Sequence, residues 1–389
     1  MKLFEQALQG NRHASVDAVV EGNSLFALDL YQMLRKREGN LFFSPYSIST
    51  ALAMTYAGAR GSTESQMAQV LHFLLDQEQL HPAFARLEAS LRDVQKKGRV
   101  QLSAANSLWP HKGFTLLSEF LALTKRYYGV QITTVDYGRA EEARRMINDW
   151  VEDKTENKIE ELILPKMVGP STDLILVNAI YFKGDWASQF DEQLTHEAPF
   201  WVNPSGQVQV TMMTRKHEFR YAKAGDLQVL ELPYAGEDLS MFVLLPGEID
   251  GLADLEDQLT VENLERWTKY LWETEVQVFL PRFEVTLPVR LSETLESMGM
   301  PDAFSSRADF SGMAKAQLFI SEVVHKAFVK VNEEGTEAAA ATAVIMARGA
   351  PPPVPTFRAD HPFLFVIREN ATGSILFLGR VVDPASNAE

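Results

Sequence analysis

The sequence predicts a mixed α and β chain, and three stretches carry that prediction. Residues 24 to 38 place Leu25, Leu28, Tyr31 and Leu34 on a helical period. "LILVNAIYF" from Leu174 is nearly all apolar, as a strand buried on both faces must be. "PFLFVIRENATGSILFLGRVV" reads as two buried strands around a turn at Asn370–Ser374.

The first helix has Ser24 as its expected cap and Gly39 as its stop. A second follows in "MINDWVEDKTENKI", through Met146, Ile147, Trp150 and Val151. "QVLELPY" and "LSMFVLLP" flank the turn Ala235–Asp238 as a hairpin, and "EVQVFLPRFEV" alternates as strands do. A third helix sets Leu291, Leu295 and Met298 on one face and stops at Gly299.

Length alone would allow two or three domains. No repeat and no linker divides the chain, however. The only Pro-rich stretch is 349 to 355, and a cut there would leave about thirty residues, too few to fold alone. The expectation is one domain spanning residues 1–389.

A formal charge of −15 repels phosphate backbones and anionic lipid, so nucleic acid and membrane are not expected partners. Arg86, Arg92, Lys96, Lys97 and Arg99 are interrupted by Glu88 and Asp93, which reads as a solvated helix face rather than a polyanion site. The absence of cysteine excludes thiol chemistry and disulfides. "MKLFEQALQG" has no signal-peptide core, and no apolar run reaches spanning length. The chain is expected to be cytoplasmic, or secreted if a signal has been removed.

No nucleophile elbow, zinc-protease motif, phosphate loop or dinucleotide fingerprint occurs. His325 lies within the apolar run "SEVVHKAFVKV", and Ser44 and Ser47 within "FFSPYSIS". A Ser–His catalytic pair can be imagined, but a buried histidine bonded to serines is the commoner arrangement. Neither metal nor cofactor is expected.

Residues 333 to 355, "EEGTEAAAATAVIMARGAPPPVP", suit no single conformation. Thr336 and the run Ala338, Ala339, Ala340 and Ala341 favour helix, Val344 and Ile345 favour strand, and Pro351–Pro353 forbid both interiors. In an extended form, one face would carry Thr336, Ala338, Ala340, Thr342, Val344 and Met346. No proline or large charged side chain stands among them.

The chain resembles the serpin family, the serine protease inhibitors that act by changing shape. The resemblance rests on "NLFFSPYSISTALAM" (Asn40–Met54), "LVNAIYFKGDW" (Leu176–Trp186), "LPRFEVTL" with "LSETLESMGM", "VHKAFVKVNEEGTEAAAATA" and "FRADHPFLFVIRE", in that order. It implies a non-enzymatic inhibitor with a mixed α+β fold of three sheets and eight or nine helices. An exposed reactive-centre loop, 335–356, would present a bait to a target serine protease. Cleavage would form a covalent acyl complex, and the loop would then insert into the large sheet, an established instance of strand addition and of stored strain released.

The resemblance further implies a hinge at Glu333, Glu334, Gly335, Thr336, Glu337, Ala338, Ala339, Ala340 and Ala341. It implies a polar shutter of Ser44, Ser47, Asn178 and His325, and a breach of Trp186, Arg282 and Glu333. A monomer is expected, with loop–sheet polymers as its hazard and without glycosaminoglycan binding. Arg348 is the only basic residue between Glu337 and Pro355, which places the scissile bond at Arg348–Gly349 for a trypsin-like target. The commonest family spacing gives the alternative, Gly349–Ala350, and an elastase-like or subtilisin-like target; a further alternative is a non-inhibitory serpin, a carrier or chaperone that keeps the fold without the insertion.

Overall fold

The computed structural model describes residues 2–130, 132–336 and 354–386. Among them are nine α-helices and two hydrogen-bonded sheets of nine and five strands. The five-stranded sheet is organised about Leu174–Asp185. That strand bonds antiparallel to Val100–Pro110 on one side and parallel to Ile320–Val331 on the other. Phe283–Arg290 closes the far edge against Ile320–Val331.

The apolar run at Leu174 has both faces covered, as its composition requires. Leu174, Leu176, Ile180 and Phe182 enter the main core. Ile175, Val177 and Ala179 enter a second cluster with Ile147 and Val151 of the helix Ala140–Lys154, which lies across the sheet. The expected pattern from Met146 to Val151 is therefore this helix, although Met146 itself is exposed.

Three sheets are expected, and the described residues form two. The 19-residue strand Gly206–Ala224 is the reason. Its first part pairs with His196–Asn203, its middle with Trp272–Pro281 and its end with Leu227–Pro233, so one backbone joins what would otherwise be separate ladders. Both expected hairpins are present: Leu227–Pro233 with Leu239–Leu245, and Phe363–Glu369 with Ile375–Val381.

The first helix is longer than its periodic core. It runs Lys2–Leu34, and Ser24 lies inside it, donating its hydroxyl to the Val20 carbonyl instead of capping. The helix Ser292–Met298 ends at Gly299 as expected. Among the described residues no helix is long and apolar enough to cross a membrane. The basic residues on the helix Gln77–Lys96 and just beyond it lie on its solvated face, with Lys96 paired to Asp93 and Lys97 to Asp238.

After Val331 the chain reverses in a tight turn. Asn332 N–H donates to the Gly335 carbonyl at 2.9 Å. Gly335–Thr336 then pairs antiparallel with Asp185 and Gly184. Gly335 has φ +141°, and a Cβ there would stand 2.3 Å from the Gly184 carbonyl oxygen and 2.5 Å from the Asp185 Cα. Only glycine fits. Replacing it (Gly335→Ala) should destabilise the protein by about 1–3 kcal/mol, read as an earlier midpoint in urea unfolding. An unchanged midpoint would show that the turn tolerates a side chain.

Candidate functional site: the shutter and breach of the five-stranded sheet

Two polar constructions flank the strand pair Leu174–Asp185 and Ile320–Val331. The first lies beneath its middle. Register sets Asn106, Asn178 and His325 opposite one another on three adjacent strands. Ser44 and Ser47 come from the helix Pro45–Tyr56 below, where Ser44 is the cap and Pro45 opens the first turn. Ser44, Ser47, Asn178 and His325 are all wholly buried.

Every member is bonded. Ser44 Oγ accepts from Ser47 N–H at 3.1 Å and donates to the Leu376 carbonyl at 2.6 Å. Asn178 Nδ2 donates to Ser47 Oγ at 2.6 Å and also to Asn106 Oδ1, which accepts a further bond from Ser47 Oγ at 3.1 Å. Ser44 N–H donates to His325 Nε2 at 3.2 Å, so that nitrogen carries the lone pair. His325 Nδ1 therefore carries the proton and donates to Asn178 Oδ1.

This geometry removes the catalytic reading. His325 meets the main chain of Ser44, whereas the Ser44 hydroxyl is committed to Leu376. Burial holds the His325 pKa down at about 3, so the ring stays neutral. A second proton would bring Nε2–H against the Ser44 N–H.

The second construction lies at the end of the sheet where the expected hinge begins. Glu333 is 2 % exposed, and its carboxylate accepts from Arg282 Nε at 2.7 and 2.9 Å and from Thr195 Oγ1 at 2.6 Å. Burial pushes its pKa up, but the Arg282 and Thr195 hydrogen bonds outweigh this and hold it below the usual value. Trp186 stacks on Tyr234 with centroids 4.7 Å apart, and its Nε1 donates to the Asn332 carbonyl at 3.0 Å. Trp186 N–H donates to the Glu334 carbonyl and Phe190 N–H to that of Glu333, each at 2.9 Å. The whole turn is thus pinned to the segment after Asp185.

The profile of the family described as Serpin (serine protease inhibitor) matches residues 21–384. The chain is a serpin. It is 48% identical over 375 residues to the leukocyte elastase inhibitor of Sus scrofa, an alignment covering 93% of this chain and 98% of the relative. Uncleaved ovalbumin superposes with a TM-score of 0.84 at 34% identity, covering 94% of this chain and all of that one. Human thyroxine-binding globulin in complex with thyroxine superposes at 0.88 with 31% identity, covering 96% and 100%. The serpin is an inhibitor of proteases and not an enzyme.

The structure brings together all the residues expected of the shutter and of the breach. It adds Asn106 to the first and Thr195, Tyr234 and Asn332 to the second. Nothing in one sequence marks Asn106, because its place depends on strand register. Of the hinge, Glu333, Glu334, Gly335 and Thr336 are described. Glu337 to Ala341 and the two candidate bonds, Arg348–Gly349 and Gly349–Ala350, lie outside the described residues.

The depressed His325 pKa gives a signed pH dependence. Between about 3 and 6.5 the unfolded chain binds a proton that the folded serpin refuses. Stability present above 6.5 is therefore lost as pH falls through that window, with a slope of at most about 1.4 kcal/mol per pH unit. Buried His81, held down at about 4, adds a separate dependence of the same sign. In urea titrations from about pH 7 to 4, His325→Gln should flatten the slope and leave the His81 part. An unaltered slope would remove His325 as its source.

Proposed function

We propose that this serpin is a suicide-substrate inhibitor of an elastase-like serine protease, cleaved at Gly349–Ala350. Residues 1–389 would act as one unit, and 335–356 would serve as its reactive-centre loop, the first two residues of which are already paired to the sheet. The protease would cleave the bond, remain as an acyl-enzyme, and be carried off as the loop enters the five-stranded sheet.

One observation carries the reading. Gly335–Thr336 already pairs with Gly184 and Asp185, while farther along the strands Leu174–Asp185 and Ile320–Val331 bond directly to each other from Leu174 to Tyr181. A strand is begun at one end of a seam that is closed below. Extending it needs the two strands to part and the alanine-rich segment to follow. About a dozen new ladder bonds at a net ~0.5–1.5 kcal/mol each amount to on the order of 10 kcal/mol, comparable to the stability of an ordinary domain. The intact chain would be a kinetically trapped state.

The leukocyte elastase inhibitors among the relatives favour a protease with a small apolar pocket, which suits Gly349. A trypsin-like target at Arg348–Gly349 is the second reading. It is favoured by Arg348, the sole basic residue between Glu337 and Pro355. Thyroxine-binding globulin holds thyroxine on this same fold, so the scissile bond and its target must be tested on the loop itself.

Incubation with elastase and, separately, with trypsin should distinguish these. The expected result with elastase is a covalent species heavier than the serpin on a denaturing gel, with a released peptide beginning at Ala350. A released peptide beginning at Gly349 would transfer the reading to trypsin, and fragments without a complex would make the chain a substrate. Arg348→Ala should abolish any trypsin complex and spare the elastase one.

Glu333 and Arg282 would act as the latch of this trap. Glu333→Lys sets two cations together and should promote loop–sheet polymers, since a parted sheet accepts a neighbour's loop. Size-exclusion chromatography after mild heating should show several-fold less monomer than the parent. Equal monomer content would remove the latch role.

A further inference from the structure

A cavity of about 980 Å³ lies away from the hinge, between the turn at Lys223–Leu227, the loop Pro246–Gly251 and the end of the helix Val261–Lys269. None of its lining residues belongs to the shutter or the breach. Leu227, Leu255 and Trp267 supply an apolar wall, with Trp267 and Leu255 themselves buried. Tyr270 and Trp272 also line it, at 65% and 56% exposure, the highest among the large apolar side chains described.

Singly exposed apolar residues are ordinary. Two exposed aromatics beside a buried third, all on one cavity, are a different matter. Aromatic rings lining a cavity can present π faces to a ligand held there.

The charge around them is net negative, four carboxylates against two cations. Asp226, Glu248, Asp250 and Asp254 line the cavity against Lys223 and Arg266. All four carboxylates are exposed, and none is in an ion pair among the described residues. Aromatic faces and unpaired carboxylates are both attractive to a positive charge, while the wall rewards an apolar body. An anion of the same size would meet repulsion.

We propose that this cavity binds an organic ammonium ion with an apolar body. Its charge would rest against Trp272 and Tyr270 within reach of Asp226 and Asp254, and its body against Trp267, Leu255 and Leu227. The proposal does not rest on the inhibitory reading, because the two share no residue.

The test titrates the full chain with benzyltrimethylammonium, and in parallel with benzenesulfonate, by tryptophan fluorescence and calorimetry at several salt concentrations. Saturable one-to-one binding of the cation is expected, with the sulfonate at least about tenfold weaker. The double variant Tyr270→Ala/Trp272→Ala should lose about tenfold in affinity. Asp226→Asn/Asp254→Asn should lose several-fold and flatten the salt dependence. Both variants sit on exposed positions, and each should form the protease complex as the parent does. Failure to saturate, equal binding of the sulfonate, or parental affinity in both variants would overturn the proposal. Loss of protease trapping with cation binding intact would instead count against the inhibitory reading alone.

Discussion

The hydrogen bonds of Asn178 and His325 constrain everything the five-stranded sheet can do. Both side chains are wholly buried on adjacent strands, and each is the other's partner. A buried polar group left without a partner costs ~1–3 kcal/mol or more. The strands cannot drift apart gradually, because every intermediate separation would strand the imidazole and the amide together. The seam is either closed, with the pair intact, or open, with new partners supplied. Cooperative polar clusters of this kind give discrete states rather than a continuum.

The helix Pro45–Tyr56 turns that pair into a network. Its capping serine offers the main-chain N–H that fixes the imidazole tautomer, and Ser47 holds the Asn178 amide from below. At the other end, Glu333 is held by Arg282 and Thr195, and the turn through Asn332 to Gly335 aims the chain back along Asp185 and Gly184. On the proposed mechanism the two constructions would divide the work: one would set where a new strand begins, and the other would resist its progress.

Much of this is legible from residues alone. The nearly all-apolar run from Leu174 announces a strand covered on both faces, and the two clusters around it bear that out. The reading of the first helix starts at Ser24 because Gly22 stands as a breaker just before it, although Val19 and Val20 upstream are already buried in the main core. The structure gives that glycine a packing role, since a Cβ would stand 2.2 Å from the His72 carbonyl oxygen. The division into sheets is not legible, because a strand's continuity, as in Gly206–Ala224, cannot be seen in its composition. Ser44, His325 and Glu333 stand out only through the ordered motifs of a family, whereas Asn106 and Thr195 carry no local signal at all. Their roles arise from register and from a loop's approach, which are properties of the folded chain.

The central claim is that the closed seam lies above a deeper minimum with one more strand in place. The most direct test nicks the loop with a protease that forms no complex, then compares thermal unfolding of intact and nicked protein. Insertion worth on the order of 10 kcal/mol should raise the melting temperature by roughly 10–20 °C. A nicked protein that melts with the intact one, or below it, would contradict the account.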